Sequence, residues 1–438
     1  MSETSEKKAP VYDGKDFEKE VRRFAESIDS LLMSLPSVMA TMQTEVKKQN
    51  AEFKKFLKVS GAERTVTGRT IRFTLKGGDV STVLKMQRQL HNNETAYRLI
   101  HRSFLTSQIS QYDAYLGRLI RLIYYVRPEK LNASEKQITF KELVQYGSIE
   151  EARERLIERE VDSVVRKSHE DQIAWITENL KLPIASFVPE LPTFIEIAQR
   201  RHLFVHCDGV VSAPYIKNCT GAGVNLPAEI AIGHQLEVTK EYLEHAFESV
   251  YVVGVKIGLA LWLTLFKSDV DAAAGCVNLM AFELISNARY SLARNLLEYA
   301  LSGKQKPTDE QMHRFIILNL AQTYRWSGDN DKCAKLLAGH NWSASSDIIK
   351  LGVAALTEKF EEAFRVMRKL GHDEEFKKES YRDWPIFREL RKQPGFSACY
   401  REVYAEDFEQ ATVVSNAPSV EVLPKQLPAP SSSADVKP

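Results

Sequence analysis

Apolar residues along the first third of the chain recur at three- and four-residue steps. Phe17, Val21, Phe24, Ile28, Leu31 and Leu32 trace one face of a helix, so the spacing predicts an amphipathic helix over 16–60, interrupted at Pro36. Thr70-Ile71-Arg72-Phe73-Thr74-Leu75-Lys76 alternates apolar with polar residues, and Gly77-Gly78 ends it. That pattern predicts a short strand or hairpin arm, reaching back to Thr65. Gly77-Gly78-Asp79 lacks the Gly-Lys-Ser/Thr ending of a phosphate loop. Helical spacing then dominates. Ile109, Tyr112, Tyr115, Leu116, Leu119, Leu122 and Ile123 form a wide apolar stripe beside Asp113, and Pro128 ends that helix. Thr139 with Glu142 and Ser148 with Glu151 have the spacing of capping boxes and mark two further helix starts. The second of these helices interleaves Arg153, Arg155, Arg159, Arg166, Lys167 and His169 with Glu150, Glu151, Glu154, Glu158 and Glu160, the composition of a solvated, ion-paired face.

Pro183, Pro189 and Pro192 punctuate the chain before a helix that carries Phe194, Ile195, Ile197 and Ala198 and is closed by Gly209, the residue best suited to a left-handed cap. A long helix follows over Gln235–Phe266. Its part from Val250 to Phe266 is almost wholly apolar, but it is short for a membrane span and holds Lys256. Burial in a domain or at a subunit interface is the expectation. Beyond Asp269 the pattern becomes paired helices, closed by Trp384, Phe387, Phe396 and Tyr400, and after Asp407 too little apolar surface remains for a core. The fold class expected is all-α, with at most a short β-hairpin near 65–76. The expected division is a disordered N-terminus over 1–15, an N-terminal helical segment with the hairpin over 16–92, a helical bundle over 93–268, helical pairs over 269–406 and a disordered tail over 407–438.

Charge and cysteine content narrow the function. Lys and Arg total 59 against 58 Asp and Glu, so no global field draws the chain to nucleic acid and any RNA site has to be a local patch. The five cysteines are scattered, which suits reduced thiols in a cytoplasm. Met1 to Lys15 is polar and lacks the apolar core of a secretion signal.

Candidate chemistry concentrates in Arg200-Arg201-His202-Leu203-Phe204-Val205-His206-Cys207-Asp208-Gly209. His202 and His206, four apart, share a helix face, whereas Arg201 and His206 lie about 140° apart on an ideal helix. An Arg with a His suits a phosphodiester: the guanidinium holds phosphate, and an imidazole titrating near neutrality moves the proton of a neighbouring hydroxyl. Taken alone, Arg201 and His206 also fit a helix-terminal pair near the C-terminal dipole. A zinc site of His202, His206 and Cys207 lacks a fourth ligand, so neither a metal nor another cofactor is expected.

Arg201, His202 and His206 also fill the Arg, polar residue, three variable residues and His that mark ribonucleases of the HEPN (higher eukaryote and prokaryote nucleotide-binding) superfamily. Cys207-Asp208-Gly209-Val210-Val211 and Tyr215 look like the usual continuation, and the segment from about Asp113 to Tyr215 resembles that superfamily. The resemblance implies a metal-independent endoribonuclease that leaves 2′,3′-cyclic phosphate and 5′-hydroxyl ends. His206 would be the proton-transfer group, Arg201 the phosphate ligand and His202 an orienting residue, with Arg200, Asp113 and Tyr215 on the substrate side. It further implies a homodimer with a composite site, which the apolar helix would help to build, and by analogy a toxin or anti-phage role. Tyr290-Ser291-Leu292-Ala293 with Leu297, Asn319 to Tyr324 with Gly328 and Cys333, and Phe360 to Ala363 with Met367 resemble degenerate tetratricopeptide units, although an irregular helical domain fits the same residues. The competing class is a catalytically inactive RNA- or protein-binding scaffold that holds a protein partner through those helices.

Overall fold

In the computed structural model, which describes residues 12–60, 63–67, 70–74, 80–132, 138–372 and 376–408, the chain opens with α1 (Gly14–Val59). Asp13 starts it two residues earlier than the periodicity indicates: its carboxylate accepts from Lys15 N–H, while the Asp16 side chain accepts from Asp13 N–H. The expected break at Pro36 does not occur, and the helix runs through it. A mid-helix proline costs about 3 kcal/mol, but both flanks are held. Before it Phe17, Val21, Phe24, Ile28 and Leu35 are buried; beyond it Gln43 and Gln49 hydrogen-bond Tyr97 and Asn93.

The expected hairpin is present as β1 (Glu63–Thr67) and β2 (Thr70–Thr74), antiparallel with Thr67 opposite Thr70. The Gly77-Gly78 turn, residues 1–11 and the tail from 409 lie outside the described residues. α2 (Val80–Val126) then returns along α1 for 47 residues, so the division at 92/93 falls inside one helix. Every member of the stripe from Ile109 to Ile123 is buried.

α3 (Glu129–Asn132) and α4 (Phe140–Gln145) are short. Thr139 and Glu142 cap α4 reciprocally. α5 (Ile149–Val165) has only half of its box: Ser148 Oγ accepts from Glu151 N–H, but the Glu151 carboxylate takes the N–H of Gly147. The outer face of α5 is ion-paired as expected, Arg155 with Glu158 and Arg166 with Asp162. α6 (His169–Leu180), α7 (Leu191–His206), α8 (Ala213–Gly221) and α9 (Lys240–Leu265) complete this half.

α9 is the element the others surround. By length and composition it could cross a membrane, but 89% of the qualifying window is buried inside the chain. Every residue from Ser249 to Trp262 is buried. Of the two covers expected for this helix, its own domain supplies one, because the apolar surface is buried within the chain. α1 and α2 approach closely because α9 presents Gly254 and Gly258. A β-carbon on Gly254 would stand 2.1 Å from the Phe24 ring, and one on Gly258 would meet Tyr115 Oη and Val21. Phe24 stacks on Tyr115 at 4.3 Å, and the Tyr115 hydroxyl donates to the Gly254 carbonyl.

The second half consists of α10 (Val270–Ser286) with α11 (Tyr290–Ala300), α12 (Glu310–Trp326) with α13 (Asn330–Ala338), and α14 (Asp347–Leu356) with α15 (Phe360–Leu370). All three pairs share one turn. Ala288, Gly328 and Glu358 take positive φ of 58°, 85° and 57°, and the next residue's N–H bonds the carbonyl five back, Arg289 to Leu284, Asp329 to Tyr324 and Lys359 to Ala354. Ala293, Cys333 and Ala363 are each the fourth residue of the second helix, and all three are buried. The chain is closed by α16 (Ser380–Asp383) and α17 (Pro394–Tyr404), and the expected cap of Trp384, Phe387, Phe396 and Tyr400 is buried there. One apolar cluster extends from Phe17 to Leu320, so the helical pairs begin in the core of the first half.

Gly254→Val drives a branched side chain into a ring that Tyr115 already backs. Overpacking of this kind costs about 1–3 kcal/mol, so urea unfolding followed by circular dichroism is expected to show a lower midpoint than the parent. An unchanged midpoint would mean that α9 does not depend on this close approach.

Candidate active site

α7 is fixed at its start, middle and end. Pro192 lies in its first turn, where a missing N–H is harmless. The preceding Glu190 receives Lys256 Nζ at 3.0 Å on both carboxylate oxygens, and Asn295 Nδ2 at 2.6 Å. Phe194, Ile195, Ile197, Ala198 and Leu203 face the interior. At the far end the N–H groups of Cys207 and Gly209 both reach the Leu203 carbonyl, at 2.8 and 3.0 Å. The left-handed cap involves Asp208 (φ 48°) as well as Gly209 (φ 82°), and a β-carbon on Gly209 would collide with the Phe204 ring. Arg102 of α2 donates to the Asp208 carboxylate at 2.6 Å and lies over Phe204.

This frame presents two clusters. His202 and His206 stand together, ring centroids 4.5 Å apart, and both are exposed. Partial burial lowers the His202 pKa from its ordinary value, reinforced by the charges of His206 and Arg201. Val205 and Cys207 beside them are also exposed. Arg201 turns the other way, toward Asp113, with Nη2 3.6 Å from Oδ2. That is an ion pair but too long for a hydrogen bond, and Arg201 Nε is buried without a partner. The Arg201 guanidinium is therefore incompletely engaged. Asp113 is held through its other oxygen by His169 Nε2 at 3.1 Å, and the His169 ring packs near Tyr112 and Phe194.

The structure thus brings Arg201 to Asp113 and His202 to His206. It does not join Arg201 to His206, which the helical offset of about 140° keeps apart within one chain. His169 is the residue that sequence reasoning missed by grouping it with the solvated face of α5. The available signal was Ser168, whose hydroxyl caps Asp171 N–H and so places His169 at the start of a new helix.

Two expectations need correction. Arg200 and Tyr215 do not stand on a substrate side, because both are buried. Arg200 Nε donates to Glu196 Oε1 at 2.7 Å, Tyr215 Oη to the same oxygen at 2.6 Å and Tyr242 Oη to Glu196 Oε2 at 2.7 Å. The Arg200 guanidinium lies 3.9 Å from the Tyr242 ring centroid. Burial pushes the Tyr215 hydroxyl well above its ordinary range, and the Glu196 carboxylate adds to it. A buried charge requires this kind of satisfied network, and here it ties α7 to α8 and α9. Glu196, one turn before Arg200, was the unread half of the pair.

Among the described residues, no group of three or more His, Cys, Asp or Glu side chains is arranged to hold a metal ion. All five cysteines are free thiols, and only Cys207 is exposed. No family model matches the chain, and neither a curated protein nor a solved structure matches it.

The contact between the imidazoles is directly measurable. In proton–carbon NMR titrations His202 is expected to titrate below the ordinary histidine value, and in His206→Ala to move upward as one source of positive charge is removed. A His202 titration that His206→Ala leaves unmoved would contradict the pairing.

Proposed function

We propose that the chain is a metal-independent endoribonuclease of the HEPN type, acting as a homodimer with a composite cleft. The observation that carries this reading is the exposed His202 and His206 pair at the end of α7 beside an incompletely engaged Arg201. His206 takes the proton of the RNA 2′-hydroxyl, and the 2′-oxygen attacks phosphorus. The bond to the 5′-oxygen breaks, and that oxygen leaves with a proton from a second imidazole, giving a 2′,3′-cyclic phosphate and a 5′-hydroxyl. Arg201 neutralises charge building on the phosphate, and Asp113, itself held by His169, keeps the guanidinium in place. The separation of Arg201 from His206 within one chain supports a site to which two copies contribute, and Val205, 50% exposed, supplies apolar surface beside it.

A second reading is favoured by the groove along the helical pairs, which on this proposal are tetratricopeptide-like. Leu279, Phe282, Phe315 and Trp384 line it, with Asn319 bonded to Asn278. A protein-binding scaffold would use that groove and leave RNA intact.

Purified protein with mixed RNA and excess EDTA separates the two. Cleavage is expected to persist without metal, to fall by about 10²–10⁴ in His206→Ala and by about 10²–10³ in Arg201→Ala. His202→Ala should be milder. His206 is exposed, so its replacement should change stability by less than about 0.5 kcal/mol. Activity that requires Mg²⁺, or a folded His206→Ala with full activity, would overturn the reading.

A further inference from the structure

The near-neutral total charge conceals a strong segregation. Between residues 36 and 104 there are 13 Lys and Arg against 5 Asp and Glu, a net of +8; the whole chain is +1, so the remainder carries −7. Within that span lie α1 from Pro36 to Val59, β1, β2 and α2 from Val80 to Phe104. The two helices are stitched along their length by Gln43 Nε2 to Tyr97 Oη at 2.7 Å and Asn93 Nδ2 to Gln49 Oε1 at 2.6 Å.

The cations are also ordered around the helices. At about 100° per residue, Lys47, Lys48, Lys54, Lys55 and Lys58 fall within an arc of about 120° on α1, and Arg88, Arg98 and Arg102 within about 80° on α2, with Lys85 about 60° beyond them. The five lysines, Arg88 and Arg98 are exposed. None of the five lysines, Arg88 or Arg98 has an ion-pair partner among the described residues, unlike the paired arginines Arg155 in α5 and Arg166 just past its end. Unneutralised charge in one stripe on each helix creates a field that a solvated, alternating face does not.

The α2 stripe leads to the site. Its last member, Arg102, bonds Asp208 just past His206 and lies over Phe204. Asp113, three turns further along α2, continues the same face and meets Arg201. From Arg88 to Arg102 the stripe runs about 21 Å at 1.5 Å per residue. That geometry suits an extended polyanion better than a compact one.

We propose that the α2 stripe of this basic two-helix arm is a single-stranded RNA-binding surface that delivers the strand to the end of α7. The choice of RNA rests on the ribonuclease reading; the arm's affinity for a polyanion does not. Phosphates along the strand would displace counterions from the Lys and Arg side chains, so binding should fall steeply with salt.

The test is fluorescence anisotropy of a labelled single-stranded RNA with the full chain carrying His206→Ala, at several salt concentrations. Arg88→Glu with Arg98→Glu is compared with a charge-matched control on the helical pairs, Lys335→Glu with Lys359→Glu. The arm pair is expected to weaken binding by about tenfold or more and to flatten the salt dependence by about 0.7 per lost phosphate contact, the control to stay within about twofold. Equal effects from the two pairs, or no binding of RNA by the parent, would overturn the proposal. So would sedimentation with phosphatidylserine vesicles in the absence of RNA binding, which would make the arm a membrane contact. RNA bound through the arm by a native chain that cuts nothing would leave the arm standing and remove the ribonuclease reading. Cleavage by a chain whose binding ignores the arm pair would do the reverse.

Discussion

Lys256 is a charge in the middle of a helix that is buried on every side, and the structure is arranged so that this charge is answered. An uncompensated ammonium there would cost several kcal/mol. Glu190 supplies both carboxylate oxygens at 3.0 Å, and Glu190 is also the residue from which α7 departs. Neutralising the core therefore sets where the candidate site helix begins. The glycines two residues to either side of Lys256, Gly254 and Gly258, let α1 and α2 close against α9, and that packing carries Asp113 to its place opposite Arg201.

From that anchor the chemistry is positioned by satisfied buried polarity. Glu196 accepts from Arg200, Tyr215 and Tyr242, which fixes the middle of α7 and uses up the first arginine of the Arg200-Arg201 pair. The second arginine is left with one long ion pair and an unpartnered Nε. Adjacent residues of one type thus acquire opposite tasks, because helical rotation sends one inward and the other along α2. The histidines beyond them remain in solvent.

Much of the fold was legible because it rests on periodicity and local capping. The 109–123 stripe follows from spacing, the Thr139 box and the left-handed end of α7 from residue type at the right spacing, and the positions of Ala293, Cys333 and Ala363 from the resemblance to repeat units. What sequence missed depends on partners distant in the chain. Pro36 signals a break, yet α2 lies alongside and the helix continues. The apolar run of α9 looks the same whether its cover comes from its own chain or another. Arg200 resembles a ligand residue until Glu196 and Tyr242 are seen to close around it. His169 reads as one more surface charge until the end of α5 at Val165 rotates it toward Asp113. The arm's charge was hidden by averaging over the whole chain, since a total of +1 is silent about segregation.

The central claim is that an imidazole and a guanidinium activate the RNA's own 2′-hydroxyl, and the chemical nature of the cut ends tests it most directly. Mass spectrometry of the fragments from a short defined RNA is predicted to show 2′,3′-cyclic phosphate on the upstream piece and a 5′-hydroxyl on the downstream one. A 5′-phosphate facing a free 3′-hydroxyl would mean that water, not the 2′-oxygen, attacked phosphorus, and would contradict the account.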